Sequence, residues 1–318
     1  MIIHILLLIF GLGILIKGAD WLVKGGSELA RKFKLSELAI GLTVVALGTS
    51  FPELIVNGFS AYHEQSDIVF GNIIGSNLFN IFAILGITGL ISPIIVQSST
   101  VWKEIPISLF AVLLLLFLSN SIISQDEVLS RFDGIILLLF FCLFLIYVFK
   151  QLKNENTVSI QKQNKFSNFK IWTFILLGLG FLIAGGRLVV VNSVSIAESL
   201  GISETIIGLT IVAIGTSLPE LATSVVAAVR KNSGIAVGNI IGSNIFNIFF
   251  ILGASTLIKP VDFNTKFNSD LYLLAVGTIL LFLAMFSGKK KKLDRWEAGI
   301  LLLIYVGYVA SLVYKESL

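Results

Sequence analysis

The chain is a succession of long apolar runs broken by short polar stretches. Ten runs stand out, near residues 2–30, 37–62, 67–91, 104–120, 132–150, 170–198, 204–229, 234–258, 269–286 and 295–314. Each approaches or exceeds the roughly 20 residues that an α-helix needs to cross the hydrocarbon of a bilayer. The runs do not alternate apolar and polar residues as barrel strands do. In lipid every backbone N–H and C=O must pair within its own segment, which an uninterrupted helix achieves. The pattern therefore predicts an all-α polytopic membrane protein with ten transmembrane helices. Composition agrees: 56% of the 318 residues are hydrophobic and 13% charged, against about 25% charged in a soluble domain. Mean hydropathy is +0.95. The first run lacks a basic leader and a small-residue cleavage site, so it is read as the first membrane helix and not as a signal peptide.

Two of the runs carry polar residues at mid-span. "VVALGTSFPELIV" occupies 44–56 and "IVAIGTSLPELAT" occupies 211–223. They belong to a longer repeat. Shifted by 167 residues, 11–86 aligns without gaps on 178–253 with 39 identities in 76 positions. "GNIIGSNLFNIFAILG" from Gly71 meets "GNIIGSNIFNIFFILG" from Gly238. Chance similarity between apolar segments would match Leu and Ile, not Thr-Ser-x-Pro-Glu or Gly-Ser-Asn-x-Phe-Asn. The predicted organisation is a first five-helix repeat at 1–150 (core 36–92), a linker at 151–169 and a second five-helix repeat at 170–318 (core 203–259). Five is odd, so the second copy crosses in the opposite sense. Inverted-topology repeats of this kind are built into secondary transporters, with substrate held near the midplane.

Charge sets the orientation. With the first loop inside, that side carries 16 Lys and Arg against 4 on the other, and Lys17, Lys24 and Arg187 lie within helices. The positive-inside rule then places both termini outside, the lysine-rich 150–170 loop in the cytoplasm and the protein in the cell membrane. The net charge of +4 reflects this asymmetry and gives no support to nucleic-acid binding. The lone Cys142 precludes an internal disulfide, and His4 and His63 cannot build a His-rich metal site. The expected partners are the bilayer and small cations, with no cofactor and no obligatory protein partner.

The mid-span polar residues converge. Thr49, Ser50, Glu53, Ser76, Asn77 and Asn80 share the central slab of the bilayer, as do Thr216, Ser217, Glu220, Ser243, Asn244 and Asn247. Spacings of three or four residues let each set face one way. Pro52 and Pro219 remove an N–H from the helix ladder, and Gly48 and Gly215 add pliancy. Carbonyls around Ala46 to Thr49, and Ala213 to Thr216, are thereby expected to be free. The result is an oxygen-only cage. Ca²⁺ takes six to eight oxygen ligands in irregular geometry, whereas softer metals would call for Cys or His. Two intramembrane carboxylates facing one cavity repel when ionised. One Ca²⁺, two Na⁺ or two protons would each neutralise them, which is a physical basis for exchange. Nothing resembles a nucleophile–base pair or a nucleotide motif, so an enzyme is not expected. Asn77 and Asn244 are assigned either to the cage or to holding the helix break.

The paired "GTSFPE" and "GTSLPE" segments, each followed by "GNIIGSN", resemble the α-repeats of the Ca²⁺/cation antiporter superfamily, in particular prokaryotic Na⁺/Ca²⁺ exchangers. The resemblance implies Na⁺/Ca²⁺ antiport by alternating access. It implies ion ligands at Glu53, Thr49, Ser50, Ser76, Asn80 and the Ala46 carbonyl, and at Glu220, Thr216, Ser217, Ser243, Asn247 and the Ala213 carbonyl. It also implies that the first and sixth helices slide across the rest. Their glycines, Gly11, Gly13, Gly18, Gly25, Gly26, Gly178, Gly180, Gly185 and Gly186, would suit close sliding contacts. The chain has Asn at both 80 and 247, where some relatives carry an acid, which argues against K⁺ co-transport. H⁺/Ca²⁺ antiport on the same glutamates is the alternative, and a passive cation channel a more distant one.

Other polar residues have simpler readings. Lys17, Asp20 and Lys24 fit a local ion pair, with Trp21 at the interface. Asp20 and its repeat-mate Arg187 fall at opposite faces and should not pair. Thr43 and Thr210 are helix glue, and His63, Glu64 and Asp67 an outer loop. Lys289 to Lys292 anchor topology, and Phe79, Phe82, Phe246, Phe249 and Phe250 pack the cage walls.

Overall fold

A computed structural model describes residues 2–120, 127–154, 166–200, 213–287 and 291–316. The helices are α1 (Ile2–Phe33), α2 (Glu37–Thr49), α3 (Phe51–Tyr62), α4 (Ser66–Ile91), α5 (Thr100–Ser119) and α6 (Arg131–Asn154). The second part of the chain supplies α7 (Asn168–Ser199), α8 (Leu218–Val229), α9 (Ser233–Ile258), α10 (Thr265–Ala284) and α11 (Arg295–Glu316). Among the described residues eight helices are long and apolar enough to cross a bilayer, and α2 with α3 forms a further span bent by 48°. The expected span at 204–229 is described from Ala213 only, as a short turn at Ala213–Gly215 followed by α8. Its earlier part, with Thr210, lies outside the described residues, as do 155–165 of the linker and Lys289 and Lys290.

Burial sorts the helices into a centre and a rim. In α9 and α4, 94% and 78% of the most apolar window is buried, against 17–28% in α1, α6, α7 and α11. The rim helices present bulky apolar side chains outward, among them Leu6, Phe10, Phe132, Leu139, Leu176 and Leu303. Such an apolar exterior has lipid as its natural solvent. The two central helices each loosen by a π-turn, at Phe79–Ile84 in α4 and Phe246–Leu252 in α9. These turns begin at residues that are repeat-mates in the sequence, and such insertions gather at functional sites.

Glycine decides where helices touch. A Cβ at Gly18 would lie 2.7 Å from Leu182 N, at Gly178 2.7 Å from Leu22 N, and at Gly185 2.6 Å from Leu15 N. Only glycine permits this backbone-to-backbone approach. Gly11 and Gly25 face α7 in the same way, whereas Gly13 and Gly180 face open space. The seam thus binds α1 to α7; of the nine glycines expected to serve sliding, Gly26 faces α2 and α9, and Gly186 lies between Leu15 of α1 and Pro219 of α8. A second close crossing sets α2 on α9, where a Cβ at Gly238 would meet the Leu38 carbonyl at 2.6 Å.

Two short antiparallel clamps tie loops of the first part to loops of the second. β1 (Ile94–Ile95) pairs with β4 (Lys292–Leu293), and β2 (Val128–Leu129) with β3 (Val261–Asp262). Their inward residues Ile94, Leu129, Val261 and Leu293 are buried.

Candidate functional site

The breaks in the helices come from their sequence. The helix is interrupted at Ser50 (φ −82°, ψ 10°) in the first copy and at Thr216 and Ser217 (φ −91°, ψ 8° at Ser217) in the second. Pro52 and Pro219 follow in the first turn of the restarted helix, where a missing N–H breaks no bond. Each glutamate is then the third residue of its helix, close to the positive end of the helix dipole. Glu53 and Glu220 are each only 1% exposed.

The two parts of the chain hold each other's carboxylates. Ser50 donates its hydroxyl to Glu220 Oε1 at 2.8 Å, and Ser217 donates to Glu53 Oε1 at 3.0 Å. Ser243 adds a longer bond to Glu220 Oε1 at 3.4 Å, and the Ser217 and Ser76 hydroxyl oxygens lie 3.0 Å apart. Thr49 and Thr216 also face Glu220 and Glu53 respectively.

Four asparagines at the π-turns, Asn80 and Asn247 within them and Asn77 and Asn244 just before them, form a reciprocal clasp. Asn77 and Asn244 donate their amides to each other's backbone carbonyls at 3.3 and 3.4 Å. Asn80 donates to Asn244 Oδ1 at 2.8 Å and Asn247 to Asn77 Oδ1 at 2.9 Å. Asn77 and Asn244 thereby hold the two breaks together and turn the neighbouring amides. Because the amide nitrogens of Asn80 and Asn247 are committed to the clasp, their oxygens are left over. Four buried acceptors at the site, Glu53 Oε2, Glu220 Oε2, Asn80 Oδ1 and Asn247 Oδ1, have no hydrogen-bond donor among the described residues. Buried acceptors without partners are uncommon and costly. A symmetric set of four, two of them on carboxylates, suits a hard cation. Among the described residues no group of three or more His, Cys, Asp or Glu is gathered, so the cage relies on hydroxyl and amide oxygens beside its two carboxylates.

The expected free carbonyl at Ala46 is not found. It accepts the Ser50 N–H at 3.0 Å and the Thr49 hydroxyl at 3.3 Å. The reason is positional: proline withholds its N–H from the carbonyl four residues back, which is Gly48 and not Ala46. At the other copy Ser217 N–H reaches Ile214 O at 3.1 Å instead of the Ala213 carbonyl.

Several site residues escaped the sequence reading. Asn239 accepts the Thr49 hydroxyl at 2.9 Å and donates to Glu220 O at 3.2 Å and Ser224 Oγ at 3.0 Å. Its repeat-mate Asn72 accepts the Thr216 hydroxyl at 3.2 Å, and Asn57 donates to Glu53 O at 2.8 Å. The signal for Asn72 and Asn239 was available, since both copies of GNIIGSN carry them.

Away from the cage, Asp20 pairs with Lys24 at 3.2 Å as expected, and also with Arg230 at the end of α8. Lys17 lies over the Trp21 ring. At the other end Glu64 pairs with Lys259 and Asp67 with Lys266, so these loop acids bridge the two parts of the chain. Phe79, Phe82, Phe246 and Phe249 are buried, and Phe250 is half-buried against Phe141.

Comparison with known proteins agrees over nearly the whole chain. Residues 3–150 and 170–314 match the family described as sodium/calcium exchanger protein. The putative antiporter CaxA of Alkalimonas amylolytica is 37% identical over 317 residues, covering 97% of this chain and 98% of its own. The sodium/calcium exchanger MaX1 of Methanosarcina acetivorans is 34% identical over 355 residues, covering 98% and 99%. A solved structure of the sodium-calcium exchanger NCX_Mj, soaked with Na⁺ and Sr²⁺, superposes with a TM-score of 0.83 at 34% identity, covering 98% of this chain and 99% of that one.

Proposed function

The chain belongs to the sodium/calcium exchanger protein family, and from that premise we propose that it exchanges Na⁺ for Ca²⁺ by alternating access. The observation that carries this reading is the set of four donor-less oxygens on Glu53, Glu220, Asn80 and Asn247. With the hydroxyls of Thr49, Ser50, Ser76, Thr216, Ser217 and Ser243, they offer enough oxygens for the six to eight that Ca²⁺ takes. Two carboxylates match one Ca²⁺ or two monovalent cations in charge, so the same atoms serve both ions in turn. The ions are substrates of the transporter, and the proposal includes no cofactor. It includes ten spans arranged as two inverted repeats, both termini outside, the 150–170 loop in the cytoplasm and a place in the cell membrane.

A second reading replaces Na⁺ by H⁺. It is supported by the carboxylates themselves, because each has one oxygen bonded to a serine and one open to a proton. Uptake of ⁴⁵Ca²⁺ by proteoliposomes separates the two. An outward Na⁺ gradient at clamped pH should drive uptake. Uptake that follows a pH gradient and ignores Na⁺ would overturn Na⁺ coupling in favour of H⁺.

A further inference from the structure

A hydroxyl is a cation ligand only through its lone pairs, so its proton must point elsewhere. Thr49 has three acceptors within reach: the Glu220 carboxylate in the cage, Asn239 Oδ1 behind it and the Ala46 carbonyl of its own helix. If its proton went to Glu220, one event would hide a hydroxyl lone pair and occupy a carboxylate lone pair. Of the two hydrogen bonds open to it outside the cage, the one to Asn239 Oδ1 at 2.9 Å is shorter than the one to Ala46 O at 3.3 Å, so Asn239 is the better acceptor for the proton. Asn239 cannot turn to refuse it. Its amide nitrogen is held by Glu220 O at 3.2 Å and Ser224 Oγ at 3.0 Å, which fixes its oxygen toward Thr49. Thr49 and Asn239 are fully buried, so water does not replace any of these partners.

Resting on the antiporter reading above, we propose that Asn239 is a positioning residue that holds Thr49 as an acceptor toward the cation, and that Asn72 does the same for Thr216. The two are not equally firm. Asn72 Oδ1 accepts the Thr216 hydroxyl at 3.2 Å, but its amide nitrogen is buried without an acceptor. The counterpart of Ser224 in the first copy is Asn57, whose own amide takes the Glu53 carbonyl and whose oxygen is unpaired. Among the described residues, the bond that locks Asn239 is therefore unmade around Asn72.

The test uses the full-length protein in proteoliposomes, with ⁴⁵Ca²⁺ uptake giving KM and maximal rate, and Ca²⁺-dependent thermal stabilisation in detergent giving binding without transport. Asn239→Leu should raise the Ca²⁺ KM about tenfold, equivalent to about 1.4 kcal/mol, with a correspondingly weaker Ca²⁺ stabilisation. Thr49→Val should do the same, and the double variant should be no worse than either single one, because Asn239 acts through Thr49. Ser224→Ala, which loosens Asn239 by one bond and leaves the packing in place, should give a smaller rise in KM of the same kind. Losses that multiply in the double variant would overturn the proposal. So would an Asn239→Leu protein with unchanged KM and only a lower maximal rate, the mark of a purely structural role. If Asn239→Leu does not fold, Ser224→Ala with an unaltered KM overturns it. A wild-type protein that neither transports nor is stabilised by Ca²⁺ would instead sink the antiporter reading itself.

Discussion

Replacing Glu53 by Gln removes one of two negative charges from the cage while keeping its shape. The Gln amide oxygen can still accept the Ser217 hydroxyl that Glu53 accepts at 3.0 Å, so the local hydrogen bonding survives. What is lost is attraction. For a divalent ion about 3 Å from the carboxylate charge, at an effective dielectric of about 20, the Coulomb energy is 332 × 2/(20 × 3), about 11 kcal/mol. Much of this is already offset by stripping water from the ion. Breaking one partner of a buried charge pair typically costs about 3–5 kcal/mol. Even about 3 kcal/mol lowers affinity by roughly a hundredfold. The Ca²⁺ KM for ⁴⁵Ca²⁺ uptake driven by internal Na⁺ should rise at least that far, and Glu220→Gln should match it. Melting in Ca²⁺-free buffer should show the opposite sign: with one carboxylate left there is no mutual repulsion, so each variant should be at least as stable as wild type. Wild-type KM in both variants, or variants that melt well below the wild type without Ca²⁺, would refute the central-cage argument.

Other substitutions probe the supports of the cage and of the fold. Asn77→Leu removes the acceptor that holds Asn247 at 2.9 Å and leaves that amide free to turn. Loss of one or two such bonds, at about 1 kcal/mol each, should raise the Ca²⁺ KM between about five- and thirtyfold in the same uptake assay. Gly185→Val places a side chain where a Cβ alone would lie 2.6 Å from Leu15 N. Overpacking of this kind costs about 1–3 kcal/mol or more, and the variant should melt at a lower temperature in detergent. Gly180→Val, at a position facing open space, is the control that should not.

The described helices were legible from patterns within single segments: apolar run length placed them to within a few residues, the start of the 204–229 run lying outside the described residues. The repeat picked out Glu53, Glu220 and the asparagine pairs, which the structure brings together. What was not legible depends on which segments meet. The clamps between β1 and β4 and between β2 and β3 are two residues long, too short to carry a period-2 signal. Spacing groups Asp20 with Lys17 and Lys24, whereas its pairing with Arg230 needs the approach of α1 to the end of α8. The glycines of α1 and α7 announced close contact but not its partner, which is the other long helix. The Ala46 carbonyl keeps a backbone partner for a local reason: proline deprives only the carbonyl four residues back, and Ser50 N–H still reaches Ala46.

The crossed serine bonds bear on why transport should be coupled. Each carboxylate is held by a hydroxyl from the opposite part of the chain, Ser50 on Glu220 and Ser217 on Glu53. A hydroxyl can stabilise a carboxylate by hydrogen bonding but cannot cancel its charge. With both glutamates ionised and no cation present, the cage carries two negative charges away from water. Moving it between the two faces would carry them through the low-dielectric centre of the membrane, at about 2.5–3.5 kcal/mol per charge on insertion scales. Two such charges imply a penalty of roughly 5–7 kcal/mol, or about four to five decades in rate if it falls on the barrier. A cage filled by Ca²⁺, or by two Na⁺, has no such charge to move. Proteoliposomes loaded with ⁴⁵Ca²⁺ should therefore release it into medium containing Na⁺ or unlabelled Ca²⁺. At clamped pH, release into choline medium should be slower by at least a hundredfold. Equal release into choline would mean that the empty cage crosses freely, and coupling through the two carboxylates would have to be abandoned.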